Sequence, residues 1–147
     1  MTEEIIDSPT GWVGDHIRMY VESNGEKGHH WRGMTTLLLT TRGRKSGQLR
    51  RTALIYGQDG DRYLIVASNG GSDHHPLWYL NLAEEPQVEI QVGAERFKAI
   101  ARTANPEERP HLWKIMTKIF PMYDSYQTKA GKAGREIPLV ILEPQRR

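Results

Sequence analysis

The chain has 147 residues, 37% apolar and 26% charged, which is enough to bury a core and too apolar for a disordered segment. Its net charge is only +2, so any anion binding must come from local clustering rather than a global field. The absence of cysteine excludes disulfides, thiolate nucleophiles and cysteine-held metal centres, and no apolar run approaches the roughly 20 residues of a membrane-spanning helix.

Residues 1–12 read as a flexible arm, without the basic-then-apolar pattern of a signal peptide, so a cytoplasmic protein is the expectation. A helix is expected over 13–23, with Val13, Ile17, Tyr20 and Val21 near one face and Asn24-Gly25 as its stop. Residues 25–33 form a polar loop with His29, His30 and Trp31. Adjacent histidines point apart and no third ligand is near, so no metal site is expected. Strands follow over 34–41 and 51–57, joined by a basic turn, and the stretch 40–51 holds five Arg or Lys residues and no acid. Asp59-Gly60 marks a hairpin turn before a strand over 62–68. A second glycine-bearing turn, 68–72, precedes a short helix over 73–82 with Pro76 in its first turn. Segments 88–92 and 96–102 alternate apolar and polar residues and pair as a hairpin. Asn105-Pro106 starts a helix that runs to 119, Pro121 breaks it, and 122–131 forms a short helix carrying Tyr123 and Tyr126. Residues 129–135 are a basic loop. The last strand is 137–142, where Pro138 suggests an edge or a bulge. The sum is an α+β, mainly β domain: one barrel of about six mostly antiparallel strands with packed helices.

No nucleophile–base pair is legible. Ser46, Ser68 and Ser72 lie in turns, none inside a Gly-x-Ser-x-Gly elbow, and the carboxylates are scattered. Binding features remain. The basic turn 42–51 suits a phosphate or carboxylate, although a solvated basic hairpin reads the same way. The 68–71 turn offers backbone N–H groups ahead of a helix. Trp78, Tyr79, Tyr123 and Tyr126 offer flat faces and polar tips, as would ordinary core aromatics. Together they suit a planar, phosphate-bearing cofactor. Nucleic acid is the rival for a basic turn, but near-neutral charge and the lack of a binding module speak against it. The stripe Trp12, Val13, Ile17, Met19 and Tyr20 would serve either to cap the barrel or to touch a membrane surface.

The motifs then carry a resemblance. Thr41-Arg42-Gly43-Arg44-Lys45-Ser46-Gly47-Gln48-Leu49-Arg50 is similar to the TxGRKSGxxR motif of the deazaflavin-dependent nitroreductase family, whose cofactor is coenzyme F420. Ala67-Ser68-Asn69-Gly70-Gly71, with His75-Pro76-Leu77-Trp78-Tyr79-Leu80-Asn81-Leu82, resembles its ASxGG…xPxWYxNL motif, and Pro86 to Ile90 its NPxVxV strand. The ordered match covers residues 35–144. It implies a split β-barrel and hydride transfer from the deazaflavin C5 to quinones, nitroaromatic compounds or other activated electrophiles. By resemblance, Arg44, Lys45, Ser46 and Arg50 hold the phosphate and oligoglutamate tail. The backbone of Arg51, Thr52, Ala53, Leu54 and Ile55 lines one deazaflavin edge, and Val66, Ala67, Ser68 and Asn69 meet the other. Leu77, Trp78, Tyr79, Leu80 and Asn81 flank tail and ring, and Tyr123 and Tyr126 belong to the aromatic lid. Ser68, Tyr123 and Tyr126 are the candidates to orient the acceptor or relay a proton. Asn69 stands where lysine is common, Phe120 and Ile55 where some members carry tyrosine, and Ala53 replaces a frequent proline. The expected partner is a small electron acceptor, with a homodimer as the expected assembly and a peripheral site at the inner membrane face as a variant of the cytoplasmic location. The alternatives are an F420 carrier, an FMN- or heme-binding split barrel, and a nucleic-acid or anionic-lipid binder.

Overall fold

The computed structural model describes residues 4–8 and 11–145, without the side chain of Trp12. In chain order the elements are β1 (Ile5–Asp7), α1 (Gly11–Glu22), β2 (His30–Trp31), β3 (Met34–Arg42), β4 (Leu49–Ile55), β5 (Gly57–Asp59) and β6 (Arg62–Val66). They continue with α2 (Leu77–Glu84), β7 (Gln87–Val92), β8 (Glu95–Thr103), α3 (Arg109–Ile119), α4 (Met122–Lys132) and β9 (Leu139–Pro144). The strands form one sheet in the order β1-β4-β3-β7-β8-β9-β6-β5, with β2 paired to β3. Every pairing is antiparallel except β1 on β4.

The sheet curls around one core and carries two more on its outside. Side chains alternate across a strand. Leu37, Leu39, Ile65, Val140 and Leu142 therefore point inward with Tyr56, Tyr63, Val88 and Ile90, closed at one end by Leu82, Trp78 and Tyr79 of α2. Leu64, Val66, Leu139 and Ile141 point outward, where α3 and α4 cover them with Leu112, Met116, Tyr123 and Ala130. Leu38 and Ala53 face α1 through Ile17, Tyr20, Val13 and Val21. Burial on both faces explains the unbroken apolar runs Leu37–Leu39 of β3, Tyr63–Val66 of β6 and Leu139–Leu142 of β9.

Three differences from the sequence reading have physical causes. Ile5–Asp7, assigned to a flexible arm, is a strand that pairs with Leu49–Arg51, and Asp7 grips Arg51 through bonds of 2.6 and 3.2 Å. That pairing joins segments over forty residues apart, which local pattern does not report. The rest of the arm, residues 1–3 and 9–10, lies outside the described residues. Pro138 does not put β9 at an edge: it sits one residue before the strand, which lies between β8 and β6, so its missing N–H costs no ladder bond. Finally, the helix expected over 73–82 begins only at Leu77. As for the membrane stripe, Val13, Ile17 and Tyr20 pack inward, and of the named residues with described side chains only Met19 is exposed. No described helix is long and apolar enough to cross a membrane.

Candidate cofactor and acceptor site

Two concavities meet at Thr52 of β4, a groove of about 780 Å³ and a cavity of about 330 Å³. The groove runs between the basic turn after β3 and the N-terminal end of α2. A tight turn shapes its basic wall: Gly43 donates to the Gln48 carbonyl (2.7 Å) and Gly47 to the Gly43 carbonyl (2.8 Å). Asn81, buried on α2, anchors that turn by accepting from the Arg44 backbone N–H (3.1 Å) while its amide donates to the Thr41 hydroxyl (3.2 Å). The turn thus comes to the groove already ordered.

Arg44, Lys45 and Arg50 line the groove and have no carboxylate partner among the described residues. Arg51 lines it too, but Asp7 neutralises its head. The backbone N–H groups of Lys45 and Ser46 make no hydrogen bond among the described residues. This donor set suits a polyanion: three uncompensated cations, free N–H groups and an ordered turn.

The facing wall is held by a residue that sequence reasoning left in a basic loop. Arg135 is buried, 7% exposed. Its guanidinium donates to the carbonyls of Ser68 (3.0 Å), Ser72 (2.7 Å) and Ala67, and to His75 Nδ1 (2.9 Å). Burial lowers its pKa, with Asp73 opposing. The glycine turn it grips is a 3-10 turn (Asn69–Gly71) whose N–H groups at Gly71 and Ser72 bond back to Ser68 and Asn69. Of the N–H groups expected to wait for an anion in the 68–71 turn, that of Gly71 is spent within the turn. Gly71, at φ +78°, lies against α4, where a Cβ would meet the Tyr126 carbonyl at 2.8 Å.

The smaller cavity lies between β4, the end of β6, α1 and α4. Thr52 to Ile55 form its floor; Val66, Ser68, Phe120, Tyr123 and Tyr126 form one wall; Val13, His16, Trp31 and Thr36 form the other. Tyr123 is 5% exposed and burial pushes its pKa up. Its ring packs on Phe120 at 5.0 Å between centroids and on Tyr126 at 6.5 Å. The cavity is apolar and aromatic, with few polar groups, as suits a planar ring and a small aromatic acceptor.

Most of the predicted residues are gathered here. Arg44, Lys45, Ser46, Arg50, Arg51, Asn69, Leu77, Trp78 and Asn81 line the groove; Ala53, Leu54, Ile55, Val66, Ser68, Tyr123 and Tyr126 line the cavity; Thr52 lines both. Three line neither. Ala67 is fully buried, Tyr79 bonds Thr103 at 2.7 Å, and Leu80 is half-buried on α2. Sequence reasoning missed Ile6, Asp7 and Ser8, His74 and His75, and the α1 wall. His16 had a legible signal, since it falls three residues after Val13 and four before Tyr20 on the inward stripe.

Residues 12–144 match the model of the F420H(2)-dependent quinone reductase family. The chain belongs to that family. It is an F420-dependent oxidoreductase, and its cofactor is coenzyme F420. It is 42% identical over 131 residues to an F420H(2)-dependent quinone reductase of Mycobacterium tuberculosis, with 86% of each chain covered. Among solved structures it is similar to an F420-H2 dependent reductase, FDR-A, with TM-score 0.66 and 39% identity over 74% of this chain and 93% of that one. It is also similar to a protein described as a domain-swapped dimer, with TM-score 0.70 and 36% identity over 92% and 100% of the two chains. The family fold is the split barrel that the sequence motifs implied.

Proposed function

We propose that this chain is a single F420-binding domain that reduces quinone-like, nitroaromatic and other activated electrophilic acceptors. The observation that carries this reading is the join at Thr52 between a groove with three uncompensated cations and an aromatic cavity free of charged side chains among its described residues. Bound reduced F420 supplies a hydride from its deazaflavin C5. Arg44, Lys45, Ser46 and Arg50 hold the anionic tail. Leu77, Trp78 and Asn81 flank it, and Asn81 also fixes the basic turn. The β4 backbone from Arg51 to Ile55 and the Val66–Asn69 segment orient the ring. Tyr123 and Tyr126 exclude water and, with Ser68, orient the acceptor. Positioning and dryness are what hydride transfer requires, and no Asp, Glu, Lys or Arg is among the described residues that line the aromatic cavity.

The deciding experiment is a fluorescence titration with oxidised F420, FMN and FAD, followed by F420H2 oxidation with menadione and a nitroaromatic compound. Selective F420 binding, weakened by Lys45→Ala and Arg50→Ala, together with menadione turnover, is the expected outcome. Preference for FMN refutes the reading of the groove. A homodimer is part of the proposal, supported by the domain-swapped neighbour and tested by sedimentation. The cytoplasm is the proposed compartment. Peripheral contact at the membrane face is the variant, and flotation with anionic vesicles tests it.

A further inference from the structure

The acceptor cavity contains one residue whose chemistry the reading above does not use. The α1 helix places Val13, His16, Ile17 and Tyr20 on one face, and His16, 5% exposed, lines the cavity opposite Tyr123 and Tyr126. Its Nε2 lies 3.1 Å from the Thr36 hydroxyl oxygen. Thr36 has one hydroxyl proton, and the Gly28 carbonyl, 2.5 Å away, takes it. The Thr36 oxygen can then only accept, so Nε2 carries the ring proton and Nδ1 carries the lone pair. Nδ1 makes no hydrogen bond to a described residue. Yet among the described residues no buried side-chain nitrogen or oxygen lacks a partner. Nδ1 is therefore at least partly accessible, and the His16 ring is part of the lining of the cavity.

The surroundings make His16 distinct. No Asp, Glu, Lys or Arg is among the described residues that line this cavity. On its own helix the neighbouring titratable group is Tyr20, its ring 6.3 Å away, with a pKa pushed up to about 12 chiefly by burial. On the segment before β2, His29 bonds the Tyr20 hydroxyl at 3.2 Å, and burial followed by the neighbouring His30 lowers its pKa. Across the cavity stand Tyr123, held neutral by burial, and Tyr126; β3 and β4 contribute the hydroxyls of Thr36 and Thr52. Burial also lowers the His16 pKa, with the Gly28 carbonyl opposing, which makes its protonated ring a readier acid than a free imidazolium.

We infer that His16 is the proton donor to the reduced acceptor, delivering through Nδ1 while Thr36 fixes the ring through Nε2. The inference rests on the reading of this cavity as the acceptor site. A quinone that receives a hydride gains two electrons and one proton and becomes a hydroquinone monoanion. With the ring first protonated at Nδ1 by solvent, the Nδ1–H bond breaks, an O–H bond forms on the monoanion's oxygen, and the ring returns to the neutral Nε2–H form until solvent protonates it again. No further oxidant or reductant enters.

The first test uses protein without cofactor. The His16 ring is titrated by NMR on histidine-labelled protein, alone and with 2,4-dinitro-1-naphtholate, a planar aryl oxide that mimics the monoanion. Binding of the naphtholate should raise the His16 midpoint by about one pH unit or more, as an opposite charge in contact does. The second test is His16→Gln, which keeps an N–H for Thr36 but cannot titrate. Its F420 affinity should match the wild type, its kcat should fall about 100-fold, and the wild-type gain in kcat toward low pH should vanish. Added imidazole should restore turnover to His16→Ala. Naphtholate binding with an unmoved His16 midpoint overturns the role of His16 and leaves the cavity reading intact. So does a folded His16→Gln with wild-type kcat and pH profile. If wild-type protein binds F420 but not the naphtholate, the acceptor-site reading falls and this inference with it.

Discussion

Replacing Arg135 by methionine should destabilise the fold and loosen the cofactor groove together. Methionine keeps much of the side-chain volume and removes all the donors. Four acceptors lose their partner at once: the carbonyls of Ala67, Ser68 and Ser72 and the Nδ1 of His75. A hydrogen bond to a charged group contributes about 1.5–3 kcal/mol, so the nominal loss is about 6–12 kcal/mol. Two corrections reduce it. The buried guanidinium no longer has to be desolvated, and water from the neighbouring groove reaches some of the freed carbonyls. A net loss of about 3–4 kcal/mol is expected, or roughly 10 °C in Tm for a chain of this size. Urea unfolding measures the first quantity and a thermal melt the second. Because the released turn and His75 face the groove, the F420 Kd should rise about tenfold or more, worth ~1.4 kcal/mol. Arg135→Lys should recover only part, since an ammonium cannot fork to four acceptors. A loss below about 1 kcal/mol for Arg135→Met, with unchanged F420 affinity, would refute the claim that this residue holds the wall.

Gly71→Ala combines a left-handed backbone (φ +78°) with a Cβ 2.8 Å from the Tyr126 carbonyl, and should cost about 2–4 kcal/mol in urea unfolding. Tyr123→Phe should lower kcat about tenfold while the F420 Kd, read by fluorescence, stays within about twofold, since the ring packing survives and only the hydroxyl is lost. Stability should also fall in mild acid. Burial lowers the pKa values of His16, His29 and His75, so as pH drops below about 6.5 the unfolded chain binds protons first. The contribution of the neutral rings is complete above that pH and is lost through their folded pKa values. Urea midpoints measured from pH 8 to 5 should decline on the acid side, and a flat profile would show these rings are not held neutral.

The parts of the fold that were legible in sequence are those whose cause is local. Strict alternation in 87–92 and 95–103, broken by Gly93, marks a hairpin on any reading, and Asn105-Pro106 announces α3. What was hidden depends on partners far along the chain. Ile5–Asp7 is a strand only because β4 offers an edge and Arg51 a counter-charge. Arg135 looked like one more cation between glycines, yet its four contacts lie about sixty residues upstream. Pro138 misled because proline bars a residue from a ladder, but not from the position just before a central strand. In the site, the family motifs located the groove through residue types that touch anions. They were silent about α1, whose contribution depends on where one helix face comes to rest.

One strand explains why these two chemistries sit side by side. At one end of β4, Arg50 leaves its charge free for the groove, while Arg51 spends its charge on Asp7 of β1. Further along, Thr52 to Ile55 carry no charge and floor the aromatic cavity. A polyanion and an uncharged ring system can therefore be held along a few residues of extended backbone, at about 3.3 Å per residue. Unpaired cations near the reaction cavity would draw in water and counter-ions; pairing Arg51 with Asp7 ends the cationic stretch at the junction. Asp7→Asn should then free the Arg51 guanidinium to compete for the tail, tightening oxidised F420 binding at low salt while leaving menadione turnover at saturating F420H2 unimproved. Affinity and turnover that rise together would mean that the boundary between groove and cavity is not electrostatic.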